Sequence, residues 1–297
     1  MPGTDEGGPA PSWDPGRAGP ASRCSGVAAS AALSGGVSLM SGEYPAARVA
    51  HHPPAREGGV MDLEGRVAVV TGGSRGIGRQ VATGLAESGA TVVLLARDAA
   101  RVEQVVAEPV ARGQDVTGAA VDVADTAAVR ALPARLGPLA AADVLVNAAG
   151  VMSEKTARTL RTSDDEWRRV MGVNLDGVLA TTAAFVPGMV ERRWGRVVNL
   201  SACLGRMGGP GTAGGLAPYR VSKVALNALT RNLSAELGDG RRGVLVDAVC
   251  PGHCRTDMGG EPAPRSAAEG AETVLWLVGR DTGETGRLRE DRAVVPW

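Results

Sequence analysis

The stretch RVAVVTGGSRGIG at residues 66–78 limits the possible folds more than any other segment. A short apolar run closes on Thr71-Gly72, and glycines recur at 73, 76 and 78 before an Ala/Leu-rich stretch of helical length. Glycines let a backbone turn tightly and approach a pyrophosphate, whose charge is then held at a helix N-terminus. Between the first strand and first helix of a βαβ unit, Gly72, Ser74, Arg75, Gly76, Ile77 and Gly78 therefore read as a dinucleotide cradle. The spacing is TGxxxGxG rather than GxGxxG.

The form of that first strand recurs. TVVLLA (91–96), VTGAAV (116–121), DVLVN (143–147), RVVNL (196–200) and VLVDAVC (244–250) are apolar runs of strand length. Stretches of helical length, such as 79–88, 99–112 and 126–136, lie between them. Continuous apolar strands alternating with helices predict a parallel sheet covered on both faces. The expected fold is α/β, a Rossmann-like doubly wound sheet in a single domain over 61–297. Residues 1–60 differ, being dense in Pro, Gly, Ala and Ser, with His51-His52 and no sustained periodicity. They read as a disordered extension, or as a mis-assigned start with Met61 as the natural first residue. The run CSGVAASAALSGGVSLMSG sits too far from Met1, and is too broken by Gly and Ser, to read as a secretion signal.

Composition removes several classes of function. Lys+Arg and Asp+Glu are equal at 32 each, so no electrostatic footprint for nucleic acid appears. Aromatic residues make up only 3%, too few for base-stacking platforms. No apolar run approaches the roughly 18–20 residues that cross a bilayer. Cysteines at 24, 203, 250 and 254 form no disulfide framework in a chain this long, and read as reduced thiols of a cytoplasmic protein. Cys250, His253, Cys254 and Asp257 crowd one Pro/Gly turn with no second Cys/His pair nearby, which reads as a loop rather than a metal site.

Dinucleotide folds carry a ribose-reading residue roughly 20 positions beyond the glycine loop. An acid there accepts from a free 2′-hydroxyl, but this strand ends Leu94-Leu95-Ala96-Arg97. Arg97 and Arg75 together suit a 2′-phosphate, since guanidinium binds phosphate bidentately, and NADP(H) is the expected cofactor. The alternative is a solvated Arg97 answered by Asp98. Asp122 and Val123 follow the third strand, where the carboxylate can accept from an adenine amino group. Asn147, Ala148, Ala149 and Gly150 end the fourth, where small residues allow close approach of the cofactor.

Tyr219 and Lys223 are four apart on a predicted helix and project from one face. An ammonium beside a phenol favours phenolate, so the Tyr219 pKa is expected below its usual value of about 10. That would prepare the phenol for proton exchange.

TGGSRGIG, Asp122, NAAG (147–150), Asn174 in VNLDG, YRVSK (219–223) and PGHCRT (251–256) together resemble the short-chain dehydrogenase/reductase family across 61–297. The glycine spacing is similar to that of its single-domain members rather than the larger sugar-epimerase type. The tail from RTDMGG to VVPW resembles the carbonyl-reductase-like branch. The resemblance implies NADPH-dependent reduction of a ketone or aldehyde, with Tyr219 as general acid. Lys223 would hold the nicotinamide ribose and lower the Tyr219 pKa. Asn174, in a break of the long helix 164–192, would support a water relaying protons to Lys223. Pro251, Gly252 and Thr256 would contact the nicotinamide end. The implied partner is a small carbonyl compound, and related folds often pair their Tyr-bearing helices in homo-oligomers.

One position departs from the family's N-x-S-S-x-x-G pattern. Aligned on Asn199 and Gly205, the chain reads N-L-S-A-C-L-G, with Ala202 where the second serine would hydrogen-bond the reacting oxygen. Ser201 is present, but neighbouring strand residues face opposite sides. A local bulge re-aiming Ser201 or presenting Cys203, or Thr212 in the Gly-rich segment, are the other candidate donors. Losing one preorganised donor costs about 3–4 kcal/mol of transition-state stabilisation. The sequence thus supports a slowed reductase, or a nucleotide-binding regulator or scaffold of low turnover. The expected pocket walls are 152–161, 204–218 and 258–264.

Overall fold

Strands form where each apolar run stands, in a computed structural model that describes residues 62–280 and 283–297. The expectations for residues 1–60 lie outside the described residues. The strands are β1 (Val67–Thr71), β2 (Thr91–Ala96), β3 (Val116–Ala120), β4 (Val144–Asn147), β5 (Gly195–Leu200), β6 (Val244–Val249), β7 (Leu288–Glu290) and β8 (Ala293–Val295). They make one eight-stranded sheet in the order β3-β2-β1-β4-β5-β6-β7-β8. Every pairing is parallel except the last, where β8 runs antiparallel to β7. The chain reverses its direction of winding between β1 and β4, and the strand ends there open a crevice.

The helices are α1 (Gly76–Glu87), α2 (Ala99–Ala111), α3 (Thr126–Arg130), α4 (Leu132–Leu136), α5 (Asp164–Met171), α6 (Gly177–Glu191), α7 (Ala217–Glu236) and α8 (Ala267–Gly279). Successive residues of a strand leave opposite faces of the sheet. Ala68, Val70, Val92 and Leu94 join a core with Val81 and Leu85 of α1, Val102 of α2 and Val274 of α8. Val69, Val93 and Leu95 join the opposite core, with Leu132 of α4 and Phe185 and Met189 of α6. The unbroken apolar runs thus feed two layers at once.

Three sequence expectations change. The stretch 126–136 is two helices, because Pro133 lacks an N–H and sits in the first turn of a restarted helix. A π-helical turn (Gly172–Asp176) joins α5 to α6 without a gap. The resulting 28-residue stretch Asp164–Glu191 is long and apolar enough to cross a membrane by composition, although 56% of its most apolar window is buried inside the protein. Finally, Cys203 and Cys250 are joined in a disulfide, their Cα atoms 5.4 Å apart. That corrects the reading of all four cysteines as free thiols. β5 and β6 are adjacent and parallel, so positions 47 residues apart in sequence meet at one sheet edge. Cys254 is a buried free thiol.

Candidate active site

A cavity of about 740 Å³ lies at the carboxyl ends of the central strands. Its lining includes every expected cofactor residue except Asn147. The glycine loop closes one side. Gly72 holds φ +66, and a Cβ there would stand 2.7 Å from the Ala149 backbone; a Cβ on Gly78 would stand 2.4 Å from the Gly72 carbonyl oxygen. Thr71 Oγ1 accepts from the Ala149 N–H at 3.1 Å, which presses the loop against the end of β4. Helices α2, α3, α5 and α8 carry side-chain caps from Asp98, Asp125, Ser163 and Ser266. The N-cap of α1 is Arg75, whose side chain caps nothing, and Gly76, Ile77 and Gly78 of its first turn line the cavity. Uncapped N–H groups at that place suit a phosphate.

Both arginines reach the same cavity. Arg75 pairs with Asp257 at 2.7 Å, and Arg97 lies 4.0 Å from Asp122. Their side chains are 58% and 62% exposed, so both guanidinium groups remain open to a ligand. Asp98 does not answer Arg97; it accepts from the Arg101 N–H at 3.1 Å and caps α2. Asp122 accepts from the Ala124 N–H at 3.0 Å, which fixes its carboxylate at the cavity wall.

Asn147 is placed elsewhere. Its side chain accepts from Thr181 Oγ1 at 2.7 Å and donates to Asn199 Oδ1 at 2.9 Å. Asn199 donates to Thr230 Oγ1 at 2.9 Å, and Thr230 donates to the Leu226 carbonyl at 2.8 Å. This buried chain joins α6 to α7 through β4 and β5, so the Asn147 side chain belongs to the scaffold.

Tyr219 and Lys223 stand on α7, which begins after Gly215 and Leu216 turn through positive φ. Both are buried and both line the cavity. The Tyr219 N–H donates to Ser153 Oγ at 2.8 Å. Lys223 Nζ donates to the Leu200 carbonyl at 2.7 Å and lies 5.8 Å from the centre of the Tyr219 ring. Burial pushes the Tyr219 phenol up to about 12 and the Lys223 ammonium down to about 8. The expected lowering of the Tyr219 pKa is thereby corrected. Desolvation disfavours both charged forms, and the ammonium is directed at a carbonyl rather than at the phenol.

Asn174 lies on the π-helical turn, behind the cavity wall, and is fully buried. Its Oδ1 accepts from the Val151 N–H at 2.8 Å, and its Nδ2 donates to the Val151 carbonyl and to Ser222 Oγ, each at 3.0 Å. It thus clamps the end of β4 to α7, one residue from Lys223.

Ala202 lines the cavity in extended conformation. Ser201 donates to Asn227 Oδ1 at 2.5 Å, Thr212 donates to the Gly209 carbonyl at 2.8 Å, and the Cys203 sulfur is in the disulfide. Each of the three candidate donors therefore has another use. The residues of the PGHC turn are likewise engaged separately. Cys254 Sγ donates to the Pro251 carbonyl at 3.3 Å, and His253 Nε2 is 2.8 Å from the Gly259 carbonyl oxygen.

Ser153, Ser222, Asn227 and Glu290 are parts of the site that the sequence reading did not single out. Asn227 had a signal, because Tyr219, Lys223 and Asn227 recur every four residues on one helix face. Glu290 had none, since β7 is three residues long and mostly charged.

A short chain dehydrogenase family pattern matches residues 66–266. The chain is 36% identical to a 3-oxoacyl-(acyl-carrier-protein) reductase of Pseudomonas aeruginosa, covering 67% of this chain and 77% of that protein. It is 38% identical to a galactitol 2-dehydrogenase (L-tagatose-forming) of Cereibacter sphaeroides, covering 67% and 75%. Among solved structures it resembles a short chain dehydrogenase from Burkholderia cenocepacia in complex with NADP, at a TM-score of 0.67 and 30% identity, covering 77% of this chain and 96% of that one.

Proposed function

The chain belongs to the short-chain dehydrogenase family, and on that premise we propose that it reduces a ketone or aldehyde with NADPH, Tyr219 being the general acid. One observation carries the reading. The buried Tyr219 and Lys223 face the same cavity as a glycine loop that has no room for a Cβ and two exposed arginines, Arg75 and Arg97.

NADP(H) is the cofactor, as in the related Burkholderia structure. The glycine cradle and the first turn of α1 would hold its pyrophosphate, and Arg75 and Arg97 its 2′-phosphate. When bound, it supplies the hydride. Tyr219 keeps its proton until an alkoxide develops, because burial holds its pKa at about 12. Lys223 offsets the charge left on the phenol as that proton departs. Asn174 fixes Val151 and Ser222, and so holds the floor beneath both groups. Ala202 offers only a methyl group to the reacting oxygen, so turnover is slow for a carbonyl reductase.

The mouth of the site favours an acidic tail on the substrate. A recess that shares Leu216 with the main cavity is edged by Lys155, Arg158 and Arg161. None of the three has an ion-pair partner among the described residues. A keto group on a carboxylate- or phosphate-bearing chain suits that arrangement, and a reductase of 3-oxoacyl compounds is among the relatives.

A second reading, a cofactor-binding regulator or scaffold, is favoured by Ala202 and by the engagement of Ser201 with Asn227. NADPH consumption against ketones and aldehydes, with and without acidic tails, separates the two. Turnover that Tyr219→Phe abolishes supports the reductase. Tight NADPH binding with no consumption on any member of the panel leaves the scaffold.

A further inference from the structure

The reduction chemistry has no use for the disulfide between Cys203 and Cys250. Cys203 is partly exposed and lines the cavity beside Ala202, whereas Cys250 is buried and precedes Pro251 and Gly252. Both sulfurs lie against one carboxylate oxygen: Cys203 Sγ is 3.3 Å and Cys250 Sγ 3.7 Å from Glu290 Oε1. The other oxygen of Glu290 pairs with Arg206 at 3.3 Å. Two sulfurs, a carboxylate and a guanidinium therefore meet where β5, β6 and β7 abut the loop of residues 201–216.

That loop forms one wall of the substrate side of the cavity, through Ala202, Cys203, Leu204, Pro210 and Leu216. Its non-covalent ties fall at its start and on Arg220 of α7, which donates to the Pro210, Gly211 and Gly215 carbonyls at 3.2, 3.1 and 2.9 Å. Asn227 donates to the Gly205 carbonyl at 2.9 Å, Arg206 pairs with Glu290, and the Met207 N–H donates to the Trp297 carbonyl at 3.1 Å. From Met207, itself 74% exposed, to Gly214 no residue is buried. Among the described residues the disulfide is the only covalent cross-link from this loop to another segment of the chain.

We propose that Cys203 and Cys250 are a reversible thiol–disulfide modification site, which takes dithiol reductants and sets how firmly the loop 203–216 is held against the cavity. Attack falls on Cys203, the partly exposed partner. A thiolate of the dithiol bonds to Cys203 Sγ as the Cys203–Cys250 bond breaks, and Cys250 leaves as a thiolate and takes up a proton. The second thiol of the reductant then displaces Cys203, closing the reductant's own disulfide. Two electrons pass from the dithiol to the protein, the dithiol's two protons end on Cys203 and Cys250, and a cyclic disulfide departs. Glu290 Oε1 stands ready to accept a hydrogen bond from each new thiol.

The site is defined by two readouts that do not use turnover. The full chain is treated with dithiothreitol or with its oxidised form, alkylated, and mapped by peptide mass spectrometry. The expected result is a Cys203–Cys250 link after oxidation, two alkylated cysteines after reduction, and return of the link when oxidised dithiothreitol is restored. Limited trypsin digestion then follows cleavage after Arg206, which should be several-fold faster in the reduced protein. The double variant Cys203→Ser/Cys250→Ser should be cleaved at the reduced rate whatever the additive. Free thiols at both positions after oxidation would overturn the proposal, as would equal cleavage of the oxidised and reduced native protein. Chemical reduction of the native chain needs no variant to fold. A failure here leaves the reductase reading intact, and a silent ketone panel leaves this site intact.

Discussion

Ser201 donates its hydroxyl proton to Asn227 Oδ1 over 2.5 Å, and Asn227 donates in turn to the Gly205 carbonyl at 2.9 Å. The hydroxyl fastens the end of β5 to α7, while its neighbour Ala202 presents a methyl group to the cavity. Adjacent residues thus divide what one serine-rich strand end would offer: Ser201 supplies anchoring, and the reacting centre receives nothing polar.

Restoring the missing group is the direct test. Ala202→Ser should raise kcat on an accepted ketone by about 10²–10³-fold, the size of one preorganised donor. Ser201→Ala should instead lower the unfolding free energy read from urea denaturation, by about 1–3 kcal/mol, because it strips a partner from buried Asn227. An Ala202→Ser rate equal to or below the parent's would show that another donor already serves the oxygen.

Tyr219→Phe should reduce kcat by about 10²–10⁴-fold, the range for a positioned proton donor. Isothermal titration should give an NADPH affinity close to the parent's, because the glycine cradle and the two arginines are untouched. A variant that still turns over at the parent rate would remove Tyr219 from the chemistry.

Lys223 makes the pH dependence specific. Its ammonium is lowered to about 8, whereas the phenol stays protonated to about 12. For carbonyl reduction, kcat/KM should be level at neutral pH and fall above about pH 8 as the ammonium is lost. Stability has the opposite sign. An unfolded lysine titrates near 10.5, so between about 8 and 10.5 the unfolded chain binds more protons and this group's contribution to stability rises with pH. Lys223→Met should therefore stabilise the fold more at pH 7 than at pH 10, as read from urea unfolding. An advantage that grows with pH would contradict the buried ammonium.

Arg97→Asp should remove the preference for NADPH over NADH, by about 10- to 100-fold in the ratio of kcat/KM, since it replaces a charge-assisted phosphate contact with a repulsion. Equal kinetics with both cofactors in the parent would show that neither Arg97 nor Arg75 reads the 2′-phosphate.

Much of the site was legible because its parts are continuous in sequence. TGGSRGIG carries strand, turn and helix start together, and Tyr219 and Lys223 share a helix face by spacing alone. What was hidden depends on contacts between distant segments. Cys203 and Cys250 meet because β5 and β6 are neighbours, which spacing does not announce. The direction of the Tyr219 shift depends on burial, and the Asn147 side chain could not be assigned to scaffold or ligand until the neighbours of β4 were known. β7 and β8 escaped notice because three residues apiece show no periodicity.

The chain of side chains from Thr181 through Asn147 and Asn199 to Thr230 has a consequence for anyone redesigning the protein. Each member is buried, and each link of the chain runs through its neighbour. Replacing one by an apolar residue strands a polar group in the core, while replacing the set together can restore a neutral interior. Single-site libraries should therefore reject change at all four positions, and a combinatorial library should accept it. To a search through sequence space, residues spread from 147 to 230 behave as one locus.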